Sequence, residues 1–411
     1  MNYKRLGNYI QEVNERDTNM SVTLLLGVSI QKKFIPSIAN IIGTDMSTYK
    51  IVRQNQFAYG PVTSRNGDKV SIALLDDYEE AIVSQAYIVF KITDTEQLLP
   101  EYLMMWFRRP EFDRYARFKS HGSAREIFDW DELGSTYLPV PDIDKQREII
   151  KEYHTITNRI ALNKQLIGKL EATAQAIYKQ WFVDFEFPDE NGQPYKSNGG
   201  EMIDSELGEI PKGWEAGKLQ RIANQTMGFA FDGESYSTEK GISVLRGENV
   251  SEKFLRWDNH KKWNENISPR MEKCYLQDRD IVIGMDGSKV GKNWAMVSKY
   301  DLPLLLAQRV SCLRGKDTYY QNFIFYSMCV LDFPNYVSQV QTGTSIPHIS
   351  GQQIFDFSLV IPKEEILKEF DYLISKIVTL KSEVKQEQEK LSEMTSLLLS
   401  KLATIEEPIH G

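Results

Sequence analysis

Two stretches of the chain place apolar residues at alternating spacings of four and three. The first runs Ile149, Tyr153, Ile156, Ile160, Asn163, Ile167, Leu170, Ala174, Ile177 and Trp181. The second runs Ile366, Phe370, Leu373, Ile377, Leu380, Val384, Glu387, Leu391, Met394 and Leu398. A 3.5-residue period sustained over so many turns predicts the a/d seam of a coiled coil. Each seam has one polar member, Asn163 in the first and Glu387 in the second, and a polar seam residue is the kind that fixes register. Neither stretch contains an internal proline, and each follows a proline brake, Leu138-Pro139-Val140-Pro141 or Pro362. Some 40 residues of helix span roughly 60 Å. The two seams can pair with each other within one polypeptide. Because each follows its own domain, antiparallel pairing would set the domains at opposite ends of a rod. Packing of each helix on its own domain, or pairing between chains, stays open. Apolar residues beside the seams (Ile150, Leu162, Leu166, Phe182, Ile374, Leu397, Leu399, Leu402) widen the apolar face and point to further helices from a partner.

The chain also repeats itself. A shift of 221 positions lays Tyr102 on Phe323, Leu103 on Ile324, Phe112 on Phe333, Tyr115 on Tyr336, Gly122 on Gly343, Ser123 on Thr344, Leu138 on Leu359 and Pro141 on Pro362. A shift of 224 lays Gly60 on Gly284, Ser64 on Ser288 and Arg65 on Lys289, and one of 220 lays Gly27 on Gly247. Drifting offsets are what loop insertions produce. The order is kept along the half-chain, so duplication accounts for it better than chance likeness. The expected class is α/β, mixed α+β: two duplicated globular domains, 1–142 and 208–362, with long helices at 143–186 and 363–404 that form an intramolecular antiparallel coiled coil. A Pro-, Gly-, Asn- and Ser-rich linker occupies 187–207 and a tail 405–411.

Composition narrows the function classes. Of 411 residues, 41% are apolar and 26% charged, as in a globular protein. No run of about 18 apolar residues occurs, so no membrane span is expected. The opening Met1-Asn2-Tyr3-Lys4-Arg5-Leu6 lacks the apolar core of a signal peptide, and the expected compartment is the cytoplasm. Cys274, Cys312 and Cys329 are odd in number and far apart, and the five histidines form no ligand-spaced cluster, so neither disulfides nor a metal site is expected. A net charge of −8 counts against a nucleic-acid partner, although a basic groove can coexist with acidic helices.

Catalytic motifs are missing. The stretch from Gly284 to Asn293 looks like a phosphate loop but has Asp286 where the first glycine belongs and Asn293 where Ser or Thr should follow the lysine. Neither the Asn- or Asp-Pro-Pro-aromatic stretch of an amino-methyltransferase nor a glycine-rich cofactor loop after a strand is found. The chain is expected to bind, not to catalyse, with no cofactor of its own.

DNA binding needs cations for phosphates and hydrogen-bonding side chains for base edges. The loop from Gly60 to Lys69 offers Ser64, Arg65, Asn66 and Lys69. Its repeat counterpart offers Ser288, Lys289, Lys292 and Asn293. A second pair of loops offers Ser123 and Arg125 in one half and Thr344, Ser345 and His348 in the other. Arg246 and Lys261 add cations, within a stretch that also holds Asn249, Lys253, Arg256, Trp257 and Lys262. Each loop alone is weak evidence, and their recurrence in both halves strengthens it.

Domain, helix, domain, helix resembles the layout of type I restriction–modification specificity subunits over nearly the whole chain. Phrases in that family's style are Trp181-Phe182-Val183-Asp184-Phe185-Glu186-Phe187-Pro188, Glu209-Ile210-Pro211-Lys212-Gly213-Trp214, Thr342-Gly343-Thr344-Ser345-Ile346-Pro347-His348-Ile349 and Leu138-Pro139-Val140-Pro141. The resemblance implies two target-recognition domains, each reading half of a bipartite, asymmetric site on double-stranded DNA, with the helices setting the unread spacer. It implies two modification subunits docked on the helices, carrying S-adenosylmethionine and methylating adenine, and motor–nuclease restriction subunits joined to that core. The acidic net charge departs from what a DNA reader needs, and puts phosphate binding by the isolated chain in doubt. A coiled-coil scaffold without DNA specificity, or an enzyme with a diverged motif, remain alternatives.

Overall fold

The computed structural model describes residues 3–37, 44–64, 66–67, 69–122, 126–343 and 345–404. They form two compact units, Met1–Leu162 with Gln388–Gly411, and Asn163–Glu387. Among the described residues no helix is long and apolar enough to cross a membrane.

In the first unit a four-stranded antiparallel sheet runs in the order Ile10–Val13, Ile88–Ile92, Phe57–Tyr59, Ile72–Leu74. Its apolar residues alternate between two cores, as the period of two in a strand requires. Phe57, Tyr59, Ile72, Leu74, Phe90 and Ile92 face a layer of helices. Ala58, Ala73 and Val89 face the smaller strands on the other side. The helices are α1 (Pro100–Phe107), α2 (Pro110–Lys119) and α3 (Trp130–Gly134). α1 and α2 both begin with proline, whose fixed φ and missing N–H suit that position. The carboxylate of Asp129 caps α3 by accepting from the Glu132 N–H at 2.9 Å. Strand Tyr3–Arg5 then pairs antiparallel with Tyr137–Pro139. The long helix α4 (Ile143–Phe182) follows. Its first turn is anchored by the fully buried Gln146, whose amide donates to the carbonyls of Gln97 and Pro141, each at 2.8 Å, and accepts from the Leu99 N–H at 2.9 Å.

The second unit repeats this plan. Its sheet runs Ala223–Met227, Val310–Gly315, Ile281–Gly284, Trp294–Met296. Phe57 lies opposite Phe90 and Leu74 in one sheet, and Ile281 lies opposite Leu313 and Met296 in the other. After a short helix α5 (Pro269–Glu272), the helical layer comprises α6 (Tyr320–Val330), α7 (Phe333–Val340) and α8 (Gly351–Phe355). In the capping box of α8, the Gln353 side chain accepts from the Ser350 N–H at 2.8 Å. Strand Glu215–Lys218 pairs with Ser358–Ile361 before the second long helix, α9 (Glu364–Lys401). The glycine match at 220 is not a structural equivalence. Leu25 bridges Ile82 as Val244 pairs with Leu305, an offset of 219, and Gly247 opens a 3-10 turn while Gly27 lies in a strand. Within 187–207 the chain is folded back, with the Phe187 ring stacked on Tyr195 at 4.6 Å and on Trp214 at 4.8 Å. A hairpin of Met202–Ser205 with Gly208–Pro211 follows.

The long helices run antiparallel. In the second unit the Asn163 amide donates to the Glu387 carboxylate at 3.0 Å, Lys381 meets Glu171 at 2.7 Å and the Tyr178 ring lies 6.0 Å from Phe370. Residue numbers thus rise on α4 as they fall on α9. The two polar seam members therefore meet each other. In the first unit, Ile149 and Tyr153 of α4 share a core with Leu399 and Leu402, and the Tyr3 hydroxyl donates to the Ala403 carbonyl at 2.8 Å.

The α9 seam is rotated from the expected one. Leu373, Leu380 and Met394 are 40%, 43% and 49% exposed. One buried or half-buried row runs Phe370, Ile374, Ile377, Lys381, Val384, Gln388, Leu391, Thr395, Leu398 and Leu402. These are the α4 seam shifted by 221. The reason is that α9 also packs on its own domain: the Asn322 amide, on α6, donates to Asp371 at 2.7 Å and to Ser375 at 3.1 Å. That contact turns Ile374 and Val378 inward.

Candidate nucleic-acid interface

In the first unit, the loops at 60–69 and 120–128 are clasped together. The Thr63 N–H donates to the Glu126 carbonyl at 2.9 Å and the Phe128 N–H to Pro61 at 2.8 Å, while His121 and Ile127 exchange bonds of 3.0 and 2.9 Å. The second unit reproduces all four bonds. Gly287 donates to Pro347 at 3.0 Å, Ile349 to Met285 at 2.8 Å, and Thr342 and His348 exchange bonds of 2.9 and 2.8 Å. The two loops matched at different offsets thus form one tip in each unit.

At the first tip Ser64 and Lys69 are exposed. Asn66 is turned inward, its amide donating to the Val62 carbonyl at 3.2 Å, so it props the turn. Arg65, Ser123 and Arg125 lie outside the described residues. A buried ion pair not foreseen from the sequence braces this loop: Asp113 on α2 accepts from the Lys32 ammonium at 2.6 Å and from the Val70 N–H at 3.0 Å. Burial pushes the Lys32 ammonium below its usual range, against the pull of Asp113.

At the second tip Ser288, Lys289, Lys292, Ser345 and His348 are exposed and Asn293 is half-buried, while Thr344 lies outside the described residues. A cleft beside this tip gathers Arg246, Ser288, Lys289 and Asn293 with Arg256 and Arg309. Lys261 and Lys292 do not line it. Arg246 is already engaged. Its guanidinium donates to the Asn259 carbonyl at 2.8 Å, pairs with Glu248 and lies 5.7 Å from the Tyr236 ring centre. It shapes the cleft wall more than it offers a free cation. Glu248 and Asp286 also line the cleft, so its cations outnumber its carboxylates within an acidic chain. Among the described residues no group of three or more His, Cys, Asp or Glu could hold a metal.

Gly343 shows why the tip needs glycine. Its φ is +89°, and a Cβ there would press on the Ile346 carbonyl and lie 2.9 Å from His348 Nδ1. Gly343→Ala is expected to strain the turn by about 1–2 kcal/mol. Hydrogen exchange at the Thr342 and His348 amides should speed up about tenfold, with the sheet amides unchanged. Unchanged protection at both would count against this account.

A profile of the type I restriction modification DNA specificity domain matches residues 31–172. The EcoAI type I restriction enzyme specificity subunit of Escherichia coli is 31% identical over 188 residues, covering 43% of this chain and 31% of its own length. Two specificity subunits of Methanocaldococcus jannaschii are also similar. MjaVIII is 23% identical over 65% of this chain and 61% of its own length, and MjaIX 22% identical over 69% and 63%. The matches span less than two thirds of each relative's length. The crystal structure of a type I restriction–modification S subunit from M. genitalium covers 98% of this chain and 96% of that chain, with a TM-score of 0.60 and 11% identity, and so shares the fold. Residues 31–172 therefore match a type I restriction modification DNA specificity domain, and over larger parts of its length the chain is similar in sequence to type I specificity subunits.

Proposed function

We propose that this chain is the sequence-reading subunit of a type I restriction–modification complex. Its two domains read the halves of a bipartite, asymmetric site on double-stranded DNA, and partner subunits methylate adenine and cut. The observation that carries this reading is the doubled tip: the same four backbone bonds hold two loops together in each unit, and both tips carry exposed Ser and Lys side chains. Such groups suit phosphate and base edges. Two half-site contacts joined by a fixed spacer gain affinity through effective concentration.

In this reading the chain supplies no chemistry, and S-adenosylmethionine belongs to the modification subunits. Two of these dock on the helices, where α9 exposes Tyr372, Leu373 and Leu380 as apolar surface for partner helices. Restriction subunits complete the assembly. A protein acting on genomic DNA with these partners works in the cytoplasm. The test is adenine methylation by the purified chain alone and then with its neighbouring modification subunit. Sequence-specific methylation only in the mixture is expected. Activity of the chain alone would favour an enzyme, and none in either case would favour a scaffold.

The helices give a sharper expectation. One heptad added to both α4 and α9 lengthens the pair by about 10 Å, or about three base pairs at 3.4 Å per step. Sequencing of the methylated motif should show a longer spacer between unchanged half-sites. Altered half-sites with the original spacer would refute the assignment of the helices as the ruler.

A further inference from the structure

The two tips share the same four backbone bonds, and one difference between them brings two charged residues together. The turn at 84–87 corresponds to that at 307–310: Tyr87 donates to Ser84 at 3.0 Å in one, and Val310 to Ala307 at 3.3 Å in the other. This offset of 223 also takes Ile82 to Leu305, which are bridged alike. It places Gln85 on Gln308, both exposed, and Ala86 on Arg309. On the neighbouring loop, Val62 bridges Ile127 where Asp286 bridges His348. Arg309 and Asp286 therefore replace Ala86 and Val62, and they touch. Arg309 Nη1 donates to Asp286 Oδ2 at 2.8 Å.

The geometry presents this arginine outward. Arg309 has φ +63° and a side chain 71% exposed, while that of Asp286 is 24% exposed. The backbone at Arg309 is tied, its carbonyl accepting from Met285 at 2.9 Å and the neighbouring Gln308 N–H donating to Phe229 at 2.7 Å. Among the described residues the guanidinium makes one hydrogen bond, to Asp286, leaving most of its five donors to the cleft. A free arginine loses rotamer freedom on binding, and a carboxylate brace removes part of that cost. An arginine fork held at a groove-facing tip matches the O6 and N7 acceptors of guanine, which no other base presents together.

We infer that Arg309, braced by Asp286, reads a guanine in the half-site of the second domain, a contact that the first domain, with Ala86 and Val62, cannot make in this way. The inference rests on the proposed role as a DNA reader and goes beyond it by naming the base and the residue. It also gives a physical source for the asymmetry of the two halves.

The test uses the full chain assembled with its modification subunit, reading the methylated motif by sequencing and the discrimination by competition with substituted duplexes. Arg309→Ala should relax one guanine position in one half-site, losing about 10- to 100-fold in discrimination there, with the other half-site unchanged. Asp286→Asn should relax the same position to a smaller degree. Lys289→Ala, as a phosphate-contact control, should weaken all sequences alike and flatten the salt dependence. A wild-type complex without any bipartite motif would overturn the DNA-reader assignment itself. A wild-type motif that Arg309→Ala leaves intact, or a second half-site lacking any G·C pair, would overturn the guanine inference alone.

Discussion

Phe182→Ala is expected to lower the stability of the second unit by about 3–5 kcal/mol, the range for removing a buried phenyl ring. The ring closes the end of α4 and is 4% exposed. It meets Phe370 of α9 at 4.8 Å, Phe323 of α6 at 5.0 Å, Tyr178 at 5.1 Å and Trp214 at 5.8 Å. One side chain thus joins both long helices to the helical layer of the domain, and the large rings around it cannot collapse into the space it leaves. The loss is a large part of the 5–15 kcal/mol typical of a folded domain. Denaturant unfolding of the full chain should show the second unit melting early, with the first unit's transition in place. A loss below about 1 kcal/mol would mean that the aromatic cluster repacks.

Lys381→Met should cost about 2–3 kcal/mol, through the carboxylate it abandons. Lys381 and Glu171 meet across the helix pair with side chains 23% and 22% exposed, and Gln175 also donates to Glu171 at 2.7 Å. Burial pushes the Glu171 carboxyl up, but Lys381 and Gln175 outweigh it and hold the group below the ordinary carboxylate range. A depressed carboxylate contributes stability above its unfolded value near 4.5, which is lost as pH falls through the folded value. In Lys381→Met burial is left to dominate, so the sign reverses and stability should fall as pH rises through that region. Glu171→Gln in the same chain should recover much of the loss. Parallel pH profiles for wild type and variant would refute the coupling.

The sequence made much of this architecture readable because its strongest signals are periodic. The repeat, the proline brakes and the two long apolar stripes all correspond to elements of the structure, and the two polar exceptions, Asn163 and Glu387, meet each other. The α9 seam misled because the most apolar stripe is not the buried one. Leu373 and Leu380 remain at the surface, while Lys381, Gln388 and Thr395 occupy positions related to the α4 seam by the repeat offset. Applying that offset to Ile160, Ile167 and Ala174 would have found them. Arg309 escaped for the opposite reason. A search for matching halves hides a residue whose counterpart is Ala86. The Lys32–Asp113 pair joins residues far apart in sequence, and no local pattern announces it.

Each domain begins and ends on adjacent antiparallel strands, Tyr3–Arg5 beside Tyr137–Pro139 and Glu215–Lys218 beside Ser358–Ile361. Entry and exit thus share one doorway, so everything between them is a single contiguous cassette. Recombination at these joints can exchange one cassette for a foreign one without disturbing the ladder that receives it. Under the proposed function, such an exchange replaces one half-site and leaves the other in a single genetic event.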